Sequence, residues 1–224
     1  MKNYIILAAL GATASANALL FDDFTTGPYS VTLTSGMNTA FQAAAVPGAT
    51  RTTRLSVESN PLNVGVTLTV GGGFAIADAG TLADSWVRVG YGYENNGSGG
   101  LVVDPMNLDL SALSSFQIDF LSNDLANDVK IYVGTWNGSS LDLSTATAVA
   151  PGGNNTTAFS IDLSFASFTG SASFADADIV VFEFDNAVSG DFALSKLQAV
   201  PEPMSMLALG AGVAAVIARR RKKA

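Results

Sequence analysis

The chain has 224 residues, with 19 Asp and Glu against 11 Lys and Arg, and it contains neither cysteine nor histidine. Those two absences remove disulfides, thiolate or imidazole zinc sites and nucleophiles paired with histidine. An enzyme could use only carboxylates, a Ser-Lys arrangement or an oxygen-liganded metal. Residues 19–199 hold 18 of the acids and only Arg51, Arg54, Arg88, Lys130 and Lys196 as cations, a formal charge of −13 that repels anionic polymers and excludes DNA and RNA as partners.

The chain opens with Met1-Lys2-Asn3 and the apolar run Tyr4 to Leu10, the charged lead and short hydrophobic core of an export signal. The run is too short for a permanent span. Ala16 and Ala18 flank Asn17 as the two small residues that signal peptidase reads, which predicts cleavage before Leu19 and a signal peptide over 1–18. A buried N-terminal helix is the competing reading, and this order of cation, apolar run and small-residue site fits it poorly.

Alternation dominates residues 19–199. Tyr29 to Thr34, Val64 to Val70, Trp86 to Val89, Phe116 to Phe120, Val129 to Val133 and Phe159 to Leu163 read apolar and polar in turn, the period of half-buried strands. Gly- and Asn-rich segments separate them, at 71–73, 95–100, 137–138 and 152–155, where positive φ is tolerated. Ile179 to Asp185 and Phe192 to Ala199 read as a final strand pair joined by 186–191. The spacing predicts one all-β domain, an antiparallel β-sandwich of jelly-roll type with about ten strands. A tetrad recurs as Leu108 to Ser111, Leu141 to Ser144 and Ile161 to Ser164, at spacings too irregular for a solenoid. It predicts strand ends whose Asp or Ser bonds the local backbone.

Two kinds of site are open to this domain. Asp22, Asp23, Asp185 and Asp191, with Asp176 and Asp178, fall near predicted sandwich ends and supply the oxygen ligands that a structural Ca²⁺ takes. They read equally as solvated loop acids, and none has the spacing of an EF-hand loop. No other cofactor is expected. A sugar site needs a flat aromatic ring with polar neighbours, and Trp86, Tyr91, Tyr93 and Trp136 are the candidates, with Arg88, Glu94 and Asn137 close in sequence. Period two places Tyr91 and Tyr93 on one strand face as a platform, while packing in the core or at an edge is the plainer use of such residues. A glycosidase would need two carboxylates across a cleft, which spacing alone does not show, and the short chain argues against an enzyme.

The chain closes with Val200-Pro201-Glu202-Pro203, then the uncharged apolar segment Met204 to Ala218, then Arg219, Arg220, Arg221, Lys222 and Lys223. The two prolines force an extended, unpaired backbone that a processing enzyme can bind. Fifteen helical residues reach ~22 Å against a hydrocarbon core of ~30 Å, so the transmembrane helix predicted over 204–218 is a short anchor with a basic stop inside the cell. This order of parts resembles the PEP-CTERM sorting signal of Gram-negative bacteria that make exopolysaccharide. The resemblance covers about the last 25 residues. It implies an exosortase as partner, with Pro201, Glu202 and Pro203 as the sorting motif, removal of the tail, and passage from an inner-membrane precursor to the cell surface or extracellular matrix. A plain single-pass anchor is the alternative. The ectodomain, from Phe21-Asp22-Asp23-Phe24 to its last strands, is similar to the sandwich domains that precede such tails and to carbohydrate-binding jelly rolls. That likeness implies a structural or adhesive matrix protein, or alternatively a carbohydrate-binding protein with a defined site for extracellular polysaccharide.

Overall fold

The computed structural model describes residues 17–153 and 156–202. The predicted signal segment up to Ala16, Pro203, the predicted membrane helix and Arg219 to Lys223 lie outside the described residues. The described chain forms, in order, β1 (Leu19–Asp22), β2 (Tyr29–Leu33), β3 (Gly36–Ala43), β4 (Thr50–Ser59), β5 (Val66–Gly71), β6 (Phe74–Ala79), β7 (Asp84–Tyr91) and β8 (Tyr93–Asn95). It continues with β9 (Leu101–Val103), β10 (Ser115–Asn123), β11 (Asn127–Trp136), β12 (Leu141–Ala150), β13 (Phe159–Ser164), β14 (Thr169–Gly170), β15 (Ile179–Asn186) and β16 (Phe192–Val200). A single 3₁₀ turn, Phe165–Ser167, is the one helical piece among the described residues, and the Ser164 hydroxyl caps it by accepting from Ala166 N.

Two seven-stranded antiparallel sheets make the sandwich. Sheet A runs β13-β10-β16-β6-β5-β2, with β1 beside the C-terminal half of β16, and sheet B runs β14-β12-β11-β15-β7-β4-β3. The expected antiparallel β-sandwich is therefore observed, with seven strands in each sheet rather than about ten in all. Alternation explains the layering: Val87, Val89, Val129, Ile131 and Val133 point inward and are buried, while Arg88, Lys130 and Tyr132 between them point outward. Phenylalanines fill the space between the sheets. Phe21 and Phe116 from sheet A meet Phe182 and Tyr91 from sheet B, with ring centroids 5.5 to 6.3 Å apart. Each fully buried Phe contributes roughly 1.5–3 kcal/mol by leaving water.

Two expectations are corrected here. The predicted final strand pair does not pair: β15 lies between β11 and β7 in sheet B, and β16 lies beside β10, β6 and β1 in sheet A. Both strands are apolar on much of both faces, so each takes a central place in its own sheet, and residues 187–191 carry the chain across the sandwich. Of the recurring tetrads, Ile161 to Ser164 and Leu108 to Ser111 do end in local bonds, the latter through Ser111 N and Oγ donating to Asp109 at 2.9 and 2.6 Å. Leu141 to Ser144 instead opens β12, and Ser144 accepts from Ala172 N at 3.0 Å.

An ion pair crosses the core. Arg51 of β4 is 0% exposed and its Nη1 lies 3.0 Å from Oδ2 of Asp22 on β1, so a sheet B cation closes on a sheet A acid. Each side-chain polar atom of the pair is engaged. Arg51 Nε donates to Gln42 at 3.1 Å, and Nη2 donates to the carbonyls of Thr26 and Gly27. Asp22 also accepts from Tyr91 OH at 3.0 Å and from Phe24 N at 2.7 Å. Burial first, then the Asp22 carboxylate, pushes the Tyr91 hydroxyl well above its ordinary range.

Candidate functional site

The outer face of sheet B carries the densest grouping of polar and aromatic side chains. Cross-strand register arranges them in rows. Thr39, Arg54, Arg88, Glu183, Lys130 and Thr147 stand opposite one another from β3 to β12, a charged row across the whole face. The row on one side is Phe41, Thr52, Gly90, Val181, Tyr132 and Thr145, nearly free of charge. The row on the other is Met37, Ser56, Trp86, Asp185, Asp128 and Val149, with two acids.

Within the charged row the partners are specific. Arg88 Nε donates to Glu183, Tyr132 OH donates to the same carboxylate at 3.1 Å, and the Arg88 guanidinium lies 4.4 Å over the Trp86 ring. Trp86 Nε1 is held in turn by Glu58 at 2.9 Å. Above the uncharged row the face opens into a cavity of about 210 Å³. Its floor is Thr52, Gly90, Val181 and Ile179, Arg54, Arg88, Tyr93 and Tyr132 line its polar side, and Leu101, Leu141 and Leu143 close it. Leu101 comes from the β8–β9 hairpin, whose Asn-Gly loop is tied by Asn95 and Asn96 side chains accepting from Gly97, Ser98, Gly99 and Gly100 N.

Gly92 sets this geometry. It has φ +84°, and a Cβ there would stand 2.0 Å from the Asp178 carbonyl oxygen. The chain reverses its alternation at that point, so Tyr91 faces the core and Tyr93 faces outward over Gly90. The predicted Tyr91–Tyr93 platform is thereby corrected: Tyr91 is 0% exposed, and Tyr93 alone reaches the cavity. Burial pushes the Tyr93 hydroxyl up to about 12, against the opposing pull of Arg88 and Arg54.

Trp86 stands on the same outer face, one row from the cavity, and Trp136 ends β11 opposite Leu141, a third exposed. The acidic candidates are not brought together. Asp22 is committed to Arg51, Asp23 is bonded by Thr25 N and Oγ1, and Asp191 accepts from Ala79 N at 2.7 Å. Asp185 lies in the acidic row, where desolvation, then Asp84 and Glu58, raises its carboxyl above the usual range. No group of three or more acidic side chains able to hold a metal ion occurs among the described residues. Buried Asp178 binds Trp136 N at 2.6 Å and Asn107 N at 3.3 Å.

Arg54, Thr52, Tyr132 and Glu183 were missed by the sequence reading. Tyr132 and Glu183 were within its reach, since both hold outward positions in strands whose alternation is plain.

At the far end of the domain β16 stays paired up to Val200, whose carbonyl accepts from Ser114 N at 2.8 Å. Pro201 and Glu202 follow without a strand partner, and Leu19 stands opposite Ala199, so both predicted processing junctions share one end of the domain.

Residues 199–222 match the PEP-CTERM protein-sorting motif. The chain is thus a β-sandwich that carries a PEP-CTERM sorting signal, the mark of an exported protein handled by an exosortase. No curated protein matches it. Among solved structures it is similar to the family 11 carbohydrate-binding module of Clostridium thermocellum in complex with a β-1,3-1,4-mixed-linked tetrasaccharide, at 15% identity and TM-score 0.43 over 84% of this chain and 98% of that one. The solution structure of CtCBM11 gives 14% and 0.45 over 86% and 99%. An arabinose-bound α-L-arabinofuranosidase, MgGH51, gives 13% and 0.39 over 84% of this chain and 27% of that one.

Proposed function

We propose that this is a non-catalytic protein of the cell surface or extracellular polysaccharide matrix, freed of its tail by an exosortase, and that the cleft on sheet B binds a glycan. The observation that carries the glycan reading is the Thr52 hydroxyl. It is 95% buried in the cavity wall and its Oγ1 has no hydrogen-bond partner. An unmet buried hydroxyl costs about 1–3 kcal/mol, and a ligand hydroxyl entering the cavity would recover it. Tyr93 offers a ring for the C–H face of a sugar, and Arg88, Glu183 and Tyr132 form a pre-bonded group that holds its geometry without the ligand.

The sorting half is supported by where β16 stops. Cleavage between Val200 and Pro203 would leave every strand of sheet A intact, including the buried Leu197 and Ala199. The test of the binding half is a glycan array with the purified exported protein. Tyr93→Ala weakens binding by about tenfold, the equivalent of about 1.4 kcal/mol, while Ile76→Ala on the outer face of sheet A changes nothing. Equal losses for both variants, or no glycan bound by the wild type, would leave a spacer domain without a defined site.

A further inference from the structure

Among the described residues Arg54 is the one arginine without a carboxylate partner. Arg51 is paired with Asp22, Arg88 with Glu183 and Lys196 with Asp119, and Lys130 lies 4.8 Å over the Tyr132 ring. Arg54 has no carboxylate within ion-pair distance among the described residues. Its Nε donates to Thr39 Oγ1 at 3.0 Å, and no bond of its two terminal nitrogens is found there. It also stands directly opposite Arg88 in the register of β4 and β7, and like charges so placed repel. The one acid of the row, Glu183, is already taken by Arg88 and Tyr132. Burial and Arg88 both lower the Arg54 pKa, which is the same repulsion seen from the proton's side.

We propose that the cleft takes an acidic sugar, a uronate-type residue whose ring lies in the cavity against Tyr93 and whose carboxylate is held by the Arg54 guanidinium. This rests on the glycan reading above and narrows it. Direction follows from the neighbouring rows. Asp185 and Asp128 oppose an anion from one side, whereas the uncharged row and the cavity lie on the other, so the carboxylate reaches Arg54 only from a ring seated in the cavity. A guanidinium with free donors in a partly desolvated site binds a carboxylate by a planar fork. The domain's charge of −13 is compatible with this. At physiological salt the far field decays over about 8 Å, so a dense polyanion meets the acids of the whole surface while a sparsely charged glycan meets the local guanidinium of Arg54.

The experiment measures affinity of the purified exported protein for short, otherwise neutral oligosaccharides that carry one uronate residue and for the same oligosaccharides after carboxyl reduction. The acidic form binds roughly tenfold or more tightly. Arg54→Gln abolishes that preference but still binds the reduced form, Arg54→Lys keeps part of it, and both variants unfold at a midpoint no lower than the wild type's. Equal affinity for acidic and reduced forms would overturn the carboxylate and leave the glycan reading standing. Failure of the wild type to bind either form or any neutral glycan would overturn both. A preference retained by Arg54→Gln would place the carboxylate elsewhere and sink the assignment.

Discussion

Arg51→Ala lowers the stability of the sandwich by about 3–5 kcal/mol, read as a shift of the denaturant midpoint at unchanged slope. The size comes from what remains. Asp22 is 1% exposed and is left as a buried acid without its cation, and the carbonyls of Thr26 and Gly27 and the Gln42 amide lose their donors together. Against a total that runs to about 5–15 kcal/mol for a domain, this is a large share. The pair also joins the sheets, so the loss falls on β1 and on the entry of the chain into sheet A. Asp22→Ala costs a comparable amount, and the double variant costs less than the two added, because each single change strands the other charge. An unchanged midpoint for Arg51→Ala, or strict additivity, would mean that the network is not a closed structural unit.

Gly92→Ala destabilises by about 2–4 kcal/mol and weakens the proposed glycan binding in whatever fraction still folds. Two independent costs meet there. An L-residue at φ +84° is strained, and its Cβ would sit 2.0 Å from a backbone carbonyl oxygen, which cannot swing aside as a side chain could. The reversal at Gly92 puts Tyr91 under Asp22 and Tyr93 over Gly90, so relaxing it shifts the core hydroxyl and the cavity ring at once. The check is thermal unfolding alongside binding. Wild-type stability in Gly92→Ala would show that the turn accepts another conformation.

The fold was legible where strands alternate cleanly. β7, β10, β11, β13 and β16 could be read from Trp86, Phe116, Val129, Phe159 and Phe192 onward because their inward positions are apolar. β4 was not, since Arg51 and Thr53 occupy two of its inward positions and hide the pattern, and with β4 went Arg54 and Thr52 of the site. Pairing partners were out of reach: nothing local tells β15 and β16 that each belongs in the middle of a different sheet. Period two extrapolated through Gly92 put Tyr91 beside Tyr93, and only the close carbonyl of Asp178, 86 positions away, reveals the reversal. The sorting motif was legible because its signal is local and linear: residues 199–222 match it, and Pro201 and Glu202 sit just past the last paired residue.

Export, sorting and release of the sandwich are tested most directly by the intact mass of the protein recovered from the outer surface or matrix of its host. A species that begins at Leu19 and ends between Val200 and Pro203 is the predicted result. A species that retains Arg219 to Lys223 would make the tail a plain membrane anchor and contradict sorting and release.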